Sequence, residues 1–427
     1  MTVAFKTFGC RLNRAETAQF EGALVAAGFQ RVAFGQRADI VVIHTCAVTQ
    51  AAENECLKLI RSLRKKEPAT VLVVTGCAAE SVPPEALQPL GIDLVVSREK
   101  KDDLACILMR HLGMVQSTTH PVPLRTTKRA SLKIQDGCDF FCSYCIVPHT
   151  RGRPRSRPFE ECLREARAFI DAGFQELVVT GCNIACYADG ARGLVDLLAA
   201  LATLPGLGRL RLGSIEPGTV ERKVARLMAD SETICKFLHL PIQSGDDGIL
   251  TRMKRRYTAE QIVQTLDETV RLMPQVGLGA DIITGFPGET LQAFEHTRSL
   301  LSAFPFSNLH VFPYSERPGT PAATFPGAVP ETERKRRAAV LNRMKTGKRI
   351  AFATQFVGQK VDVLIERFAS NGEAHGWTSE YVDCRISGLD PSAVATLVSC
   401  VPHATEGDQL LARKALPPVD TDAVQNR

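Results

Sequence analysis

Cysteines stand at 138, 142 and 145 in Gly137-Cys138-Asp139-Phe140-Phe141-Cys142-Ser143-Tyr144-Cys145, a C-x3-C-x2-C spacing shortly after the strand-like run LKIQ. Three thiolates on one loop can hold three irons of a [4Fe–4S] cluster and leave the fourth iron open to a ligand. A zinc site, the alternative, normally draws on two C-x2-C pairs or on histidines, and this loop has neither. Three further cysteines each follow a strand-like run at once: Cys10 after VAFKTFG, Cys46 in DIVVIHTC and Cys77 in TVLVVTGC. Strand carboxyl ends of an open parallel sheet share one edge, where ligand sites form, so these three are expected to converge there.

The elements that must position these residues follow from patterning. Runs 3–8, 39–44 and 70–75 read as strands and alternate with helix-like stretches such as 14–28 and 49–66, which predicts an open parallel α/β domain over 1–115. Residues 114–131 are polar, carry two prolines and read as a linker. A second domain, 128–352, alternates LKIQ, ELVVTG, RLRLGSI, FLHLPIQ, LGADIITGFPGE and NLHVFPYS with helices near 159–172, 193–204, 219–230 and 258–273. That pattern predicts a complete or partial β/α barrel. Short alternating runs over 353–415 predict a small antiparallel barrel, and the last dozen residues read as disordered.

The chain has 427 residues, 44% apolar and 23% charged, which excludes a disordered chain, a fibre or a small disulfide scaffold. No run reaches the roughly 18 apolar residues of a membrane span, and the start lacks a signal-peptide pattern, so a cytoplasmic protein with no membrane partner is expected. Fourteen cysteines in a reducing compartment favour thiolate and metal chemistry over disulfides. The net charge of +6 is concentrated in ETERKRRAAVLNRMKTGKRI, residues 331–350, expected to be a helix. Arg151, Arg153, Arg155 and Arg157, with Arg252, Lys254, Arg255 and Arg256, form basic runs able to neutralise phosphates.

At the C-x3-C-x2-C loop the sequence resembles the radical S-adenosylmethionine (SAM) enzymes. The resemblance implies that Cys138, Cys142 and Cys145 hold a [4Fe–4S] cluster whose open iron chelates SAM, which is cleaved to a 5′-deoxyadenosyl radical. Tyr144 then falls near the adenine of SAM. Ser214 and Glu216, Gln243 and Ser244, and Asp281, all at strand ends, are candidates for the rest of the SAM site.

Taken with Cys10, Cys46 and Cys77, the chain resembles the methylthiotransferase branch of that family. There the N-terminal triplet holds a second [4Fe–4S] cluster that binds the sulfur to be transferred, so two clusters and SAM are the implied cofactors. LPIQSGDDGILTRMKRRYT, ADIITGFPGET and HVFPYSERPGTPAA look like methylthiotransferase signatures, and the terminal barrel falls where the family carries its RNA-binding TRAM domain. Thr45-Cys46-Ala47-Val48-Thr49 and YSERPGTPAA look most like the branch that methylthiolates carbon 2 of N6-threonylcarbamoyladenosine at position 37 of tRNA. The implied partners are that tRNA, an electron donor such as a flavodoxin or ferredoxin, and a sulfur donor.

Isopentenyladenosine tRNA and a ribosomal-protein aspartate are alternative substrates for the same chemistry. A non-catalytic iron–sulfur RNA-binding redox sensor is the alternative from another class. Trp377 and Tyr381 are candidate base-stacking residues, with inward packing as the other reading. His44 stands where the family more often has asparagine and is expected to pack. Cys182 and Cys186 are expected to be spectator thiols near the barrel mouth, and Cys56, Cys106, Cys162, Cys235, Cys384 and Cys400 to lie in the core.

Overall fold

The protein is described by a computed structural model covering residues 1–114 and 127–414, so most of the expected linker and the last dozen residues lie outside the described residues. Strands β1 (Thr2–Thr7), β2 (Gln30–Arg31), β3 (Ile40–Thr45), β4 (Val71–Gly76) and β5 (Leu94–Val96) form a parallel sheet in the order β2-β1-β3-β4-β5. Helices α1 (Arg11–Ala26) and α5 (Leu104–His111) bury Phe20, Leu24, Leu104 and Leu108 on one face. Helix α2 (Gln50–Lys66) buries Cys56 and Ile60 on the other, followed in the chain by α3 (Cys77–Ser81) and α4 (Pro84–Leu87). With both faces covered, β3 has no exposed side and every residue in it is buried. The Thr49 hydroxyl caps α2 by accepting from the Ala52 N–H at 3.2 Å, and Arg64, Lys65 and Lys66 complement its last turn.

The next strands are β6 (Ala130–Lys133), the paired β7 (Gln135–Asp136) and β8 (Arg155–Ser156), β9 (Glu176–Thr180), the paired β10 (Ala188–Asp189) and β11 (Arg192–Gly193), and β12 (Arg209–Leu212). They are followed by β13 (Phe237–Gln243), β14 (Gly277–Thr284) and β15 (Phe306–Pro313). Two parallel three-stranded sheets result, β6-β9-β12 and β13-β14-β15. Main-chain bonds from Cys235 N–H to the Leu210 carbonyl and from Ile215 N–H to the His239 carbonyl, both 2.9 Å, carry the curve across the seam. Helices α6 (Val147–Arg151), α7 (Phe159–Asp171), α8 (Leu194–Ala202), α9 (Glu221–Asp230), α10 (Asp247–Arg252), α11 (Ala259–Leu272) and α12 (Leu291–Ala303) belong to the same region. Six strands of the expected barrel are therefore present, with β6 and β15 as unpaired edges.

Side chains alternate across these strands as the pleat requires. Leu132, Leu177, Val179, Leu210, Leu212, Leu238, Leu240, Leu278, Ala280 and Leu309 join the helix-side core. Glu176, Arg209, Arg211, Phe237, His239, Asp281 and His310 alternate with them and so belong to the inner, concave face.

Helix α13 (Glu331–Thr354) links the last two parts: Leu341 enters the central core, while Phe352 and Ala353 enter that of the C-terminal barrel. A change of domain at 352/353 thus falls inside a continuous helix. Strands β16 (Val361–Phe368), β17 (Ala374–Thr378), β18 (Asp383–Ser387), β19 (Leu397–Glu406) and β20 (Gln409–Lys414) close in the order β16-β17-β18-β20-β19. All pairs are antiparallel except β18 with β20. Among the described residues, no helix is long and apolar enough to cross a membrane.

Candidate active site between two cysteine triplets

Cys10, Cys46 and Cys77 follow β1, β3 and β4, at the carboxyl edge where the strand order reverses between β1 and β3. Two glycines bring the three loops together. Gly9 has φ +92° and a Cβ on it would lie 2.8 Å from Cys46 Sγ; Gly76 has φ +98° and a Cβ there would lie 2.5 Å from the Thr45 carbonyl oxygen. Any other residue would push these loops apart. Burial raises the Cys46 thiol, and the neighbouring charges of Cys77 and Cys10 raise it further.

The second triplet lies on the loop after β7. Burial pushes Cys145 up to about 12, with Cys142 and Cys138 adding to the effect, and Cys138 is raised by burial and then by Cys142. Cys46 in the first set and Cys138 and Cys145 in the second are therefore thiols that resist becoming thiolates without a cation. That donor chemistry fits a cationic iron–sulfur cluster, whose irons deprotonate their ligands on binding. A cavity of about 450 Å³ opens beside the loop, lined by Phe141, Cys142, Cys145, His149, Lys254 and the 319–321 segment.

The two sets meet across a domain interface. Helix α3, which begins at Cys77, packs on α6, which starts two residues after Cys145. Beside them lies a buried ionic network. Glu16 of α1 receives Lys101 at 2.6 Å, Lys133 at 2.7 Å and Arg151 at 3.0 Å, and His44 Nε2 lies 3.3 Å away. Asp136 receives Lys101 at 2.5 Å, Arg151 at 2.9 Å and Lys133 at 3.1 Å. Arg151 also donates to Asn13 Oδ1 at 2.5 Å. Burial alone would raise both carboxyls, but hydrogen bonding from His44 and the three cations hold Glu16 well below its ordinary value, and the three cations do the same for Asp136. Cys182 Sγ lies 3.4 Å from Asp136 Oδ1, in the same network.

Known proteins match over nearly all of this architecture. Residues 132–301 match the Radical SAM superfamily, and residues 2–97 the uncharacterized protein family UPF0004. Threonylcarbamoyladenosine tRNA methylthiotransferase MtaB of Bacillus subtilis is 33% identical over 414 residues, covering 91% of each chain. The chain belongs to the radical SAM methylthiotransferase family. Another relative, the tRNA-2-methylthio-N(6)-dimethylallyladenosine synthase of Cereibacter sphaeroides, is 34% identical over 85% of this chain and 86% of its own. The solved radical SAM methyltransferase TsrM from Kitasatospora setae shares the fold with a TM-score of 0.57 at 16% identity, over 75% of this chain and 77% of that one. Membership brings SAM and a [4Fe–4S] cluster as cofactors.

In this methylthiotransferase the strand-end candidates separate. Arg255 joins Glu216 at 2.5 Å, Cys142 Sγ at 3.1 Å and the Tyr144 hydroxyl at 3.2 Å, which brings Tyr144 and Glu216 to the cysteine loop. Gln243 adopts φ +68° where β13 ends, and Ser214 is exposed after β12. The Ser244 hydroxyl is buried 3.2 Å from Thr297 Oγ1 and accepts from the Asp246 N–H. Asp281 is likewise engaged, bonded to His239 Nε2 at 3.0 Å and His310 Nδ1 at 3.1 Å; although burial opposes it, these two imidazoles hold its carboxyl below the usual range.

The basic runs also need correction. Arg151 is buried in the interface, Arg157 pairs with Glu165, Arg252 donates to the Pro287 and Pro326 carbonyls, and Arg256 stacks 3.8 Å over Phe140. Arg153, Arg155 and Lys254 are exposed and have no such partners among the described residues. Trp377 and Tyr381 lie outside the core of the small barrel and face the central strands instead, stacked on each other at 4.7 Å with Phe237 5.0 Å from Tyr381. His44 is buried, as expected of a packing residue.

Sequence reasoning missed the concave face. Arg129, Arg209 and Arg211 converge on Glu176 at 3.1, 3.7 and 2.7 Å, and Arg209 and Arg211 donate to carbonyls of Asp362, Trp377, Thr378 and Ser379. The C-terminal barrel thereby seals the amino ends of the central strands. Charged or polar residues alternating with leucine in RLRL and NLHV, and His239 in FLHL, were the available signal.

Proposed function

We infer that this protein adds a methylthio group to carbon 2 of N6-threonylcarbamoyladenosine at position 37, beside the anticodon, of tRNA. The observation that carries the reading is the packing of α3, which begins at Cys77, on α6, which follows Cys145, so that the two cysteine triplets flank one interface, in a chain similar over nine-tenths of its length to proteins named for this activity. Cys138, Cys142 and Cys145 hold the cluster that binds SAM, with Tyr144, Glu216, Gln243 and Ser214 around it. Cys10, Cys46 and Cys77 hold a second [4Fe–4S] cluster.

Carbon 2 of adenine carries a hydrogen that no side-chain base removes at neutral pH and offers no leaving group, so the clusters and SAM supply the one-electron chemistry when bound. The chain's own residues do the rest. Glu16, Asp136, Lys101, Lys133 and Arg151 hold the N-terminal domain against β6, and Arg317 of the segment after β15 grips Glu53 of α2 at 2.7 Å. These contacts fix the N-terminal sheet beside β6 and beside the segment after β15, on either side of the concave face. The base must arrive unstacked, and phosphates would be met by Arg153, Arg155, Lys254 and a C-terminal barrel acting as a TRAM domain. A reductant of the flavodoxin or ferredoxin class and a sulfur donor complete the partners.

The test is mass spectrometry of tRNA nucleosides from cells lacking the gene. The 2-methylthio derivative of threonylcarbamoyladenosine should vanish while its precursor accumulates. An unchanged level overturns the reading, and loss of the methylthio isopentenyl derivative instead would assign the other tRNA substrate.

A further inference from the structure

Threonylcarbamoyladenosine differs from the isopentenyl nucleoside in carrying a carboxylate, which is costly to bring into a closed site without a cation. The cations around the concave face are nearly all committed. Arg129 pairs with Glu176 and Glu366, and Arg209 and Arg211 with Glu176. His239 and His310 share Asp281; Lys101, Lys133 and Arg151 share Glu16 and Asp136; Arg255 holds Glu216. Besides the exposed Arg153, Arg155 and Lys254, Arg11 is the exception. It is exposed, begins α1 directly after Cys10, and has no carboxylate partner among the described residues.

Its guanidinium is nevertheless held in place. Nη2 donates to the Tyr381 hydroxyl at 2.9 Å, and the group lies 5.7 Å from the Tyr381 ring centroid. Tyr381 is fixed in turn. It adopts φ +68°, a conformation that a bulky side chain keeps only when its surroundings over-determine it. Here its N–H donates to the Thr378 carbonyl at 3.2 Å, the Val382 N–H to Thr378 Oγ1 at 3.1 Å, and its ring is packed by Trp377, Phe237, Arg129 and Arg211. One nitrogen of the guanidinium is used, so another edge of its fork is open for a two-point contact with a carboxylate, at low ordering cost.

We propose that Arg11, oriented by Tyr381, binds the threonyl carboxylate of the substrate base and so sets the preference for it. The inference rests on the function proposed above. Its test uses the reconstituted full chain and two anticodon stem–loop RNAs, one with threonylcarbamoyladenosine at position 37 and one with its carboxylate replaced by a carboxamide. Wild type should favour the carboxylate RNA by about 100-fold in kcat/KM. Arg11→Gln should lose that preference mainly through KM, leaving a ratio near one; Arg11→Lys should restore part of it, and Tyr381→Phe should reduce it several-fold. Both RNAs meet the same protein sample, so incomplete cluster loading cancels from the ratio.

If a variant is inactive, equilibrium binding of the two RNAs to it reads the same ratio. A preference unchanged in Arg11→Gln, or an equal loss on both RNAs, overturns the inference. Wild type that methylthiolates neither RNA contradicts the proposed substrate instead.

Discussion

Glu16→Ala should loosen the N-terminal domain from the central one more than any other single change at their interface. Glu16 is fully buried and takes three cations within 3.0 Å, two of them, Lys133 and Arg151, from the central domain. Its loss leaves those cations sharing Asp136, so the buried group moves from one excess positive charge to two. Removing one partner of a buried ion pair costs about 3–5 kcal/mol, because the charges left behind stay desolvated. Hydrogen exchange of the cluster-free chain reads this locally: α1 amides that exchange through interface opening should speed up on the order of 10²–10³-fold, since about 1.4 kcal/mol is tenfold. Glu16→Gln, which keeps an acceptor oxygen, should show a smaller effect. Acceleration under about fivefold in Glu16→Ala would mean instead that the network is solvated and contributes little to the interface.

Acid should act on the same interface. Glu16 and Asp136 both titrate lower in the folded chain than in the unfolded one, so their contribution is complete above about pH 4.5 and is lost as pH falls through the folded values. Urea midpoints of the cluster-free chain should therefore drop below about pH 4.5, less steeply in Glu16→Gln/Asp136→Asn. Gly76→Ala should disrupt the first triplet, because its Cβ meets backbone at 2.5 Å; bound iron should fall from about eight to about four per chain, while Gly28→Ala, with φ +92° but open space, should leave iron unchanged. Glu176→Ala leaves Arg209 and Arg211 under the C-terminal barrel without a carboxylate, Arg129 keeping Glu366, a cost of about 3–5 kcal/mol. The emission of Trp377, the chain's one tryptophan, should then shift red at lower urea than in wild type.

The strands of the N-terminal sheet at 3–8, 39–44 and 70–75 were legible because each is a compact, largely apolar run bounded by turns. The positions of Cys10, Cys46 and Cys77 relative to strand ends were legible for the same reason. What brings their loops within reach, the left-handed Gly9 and Gly76, is visible in the sequence only as two ordinary glycines. Helix α1 begins at Arg11, earlier than its apolar pattern suggests, because Asn13 and Glu16 in its first turns are buried against the central domain rather than solvated. The same long-range pairing misled the charge reading. Arg151 and Arg255 look like phosphate binders in their runs, yet their partners Glu16 and Glu216 lie far off in sequence. The concave face was missed because its arginines, histidines and carboxylates satisfy one another only after the sheet curves.

The most direct test of two cluster sites on one chain is iron and sulfide content with electron paramagnetic resonance on anaerobically reconstituted protein. Wild type should carry about eight irons. Cys10→Ala/Cys46→Ala/Cys77→Ala and Cys138→Ala/Cys142→Ala/Cys145→Ala should each keep about four, with the spectrum of the other cluster intact. About four irons in wild type, lost only with the 138–145 set, would contradict a second cluster and with it the chemical basis for sulfur transfer.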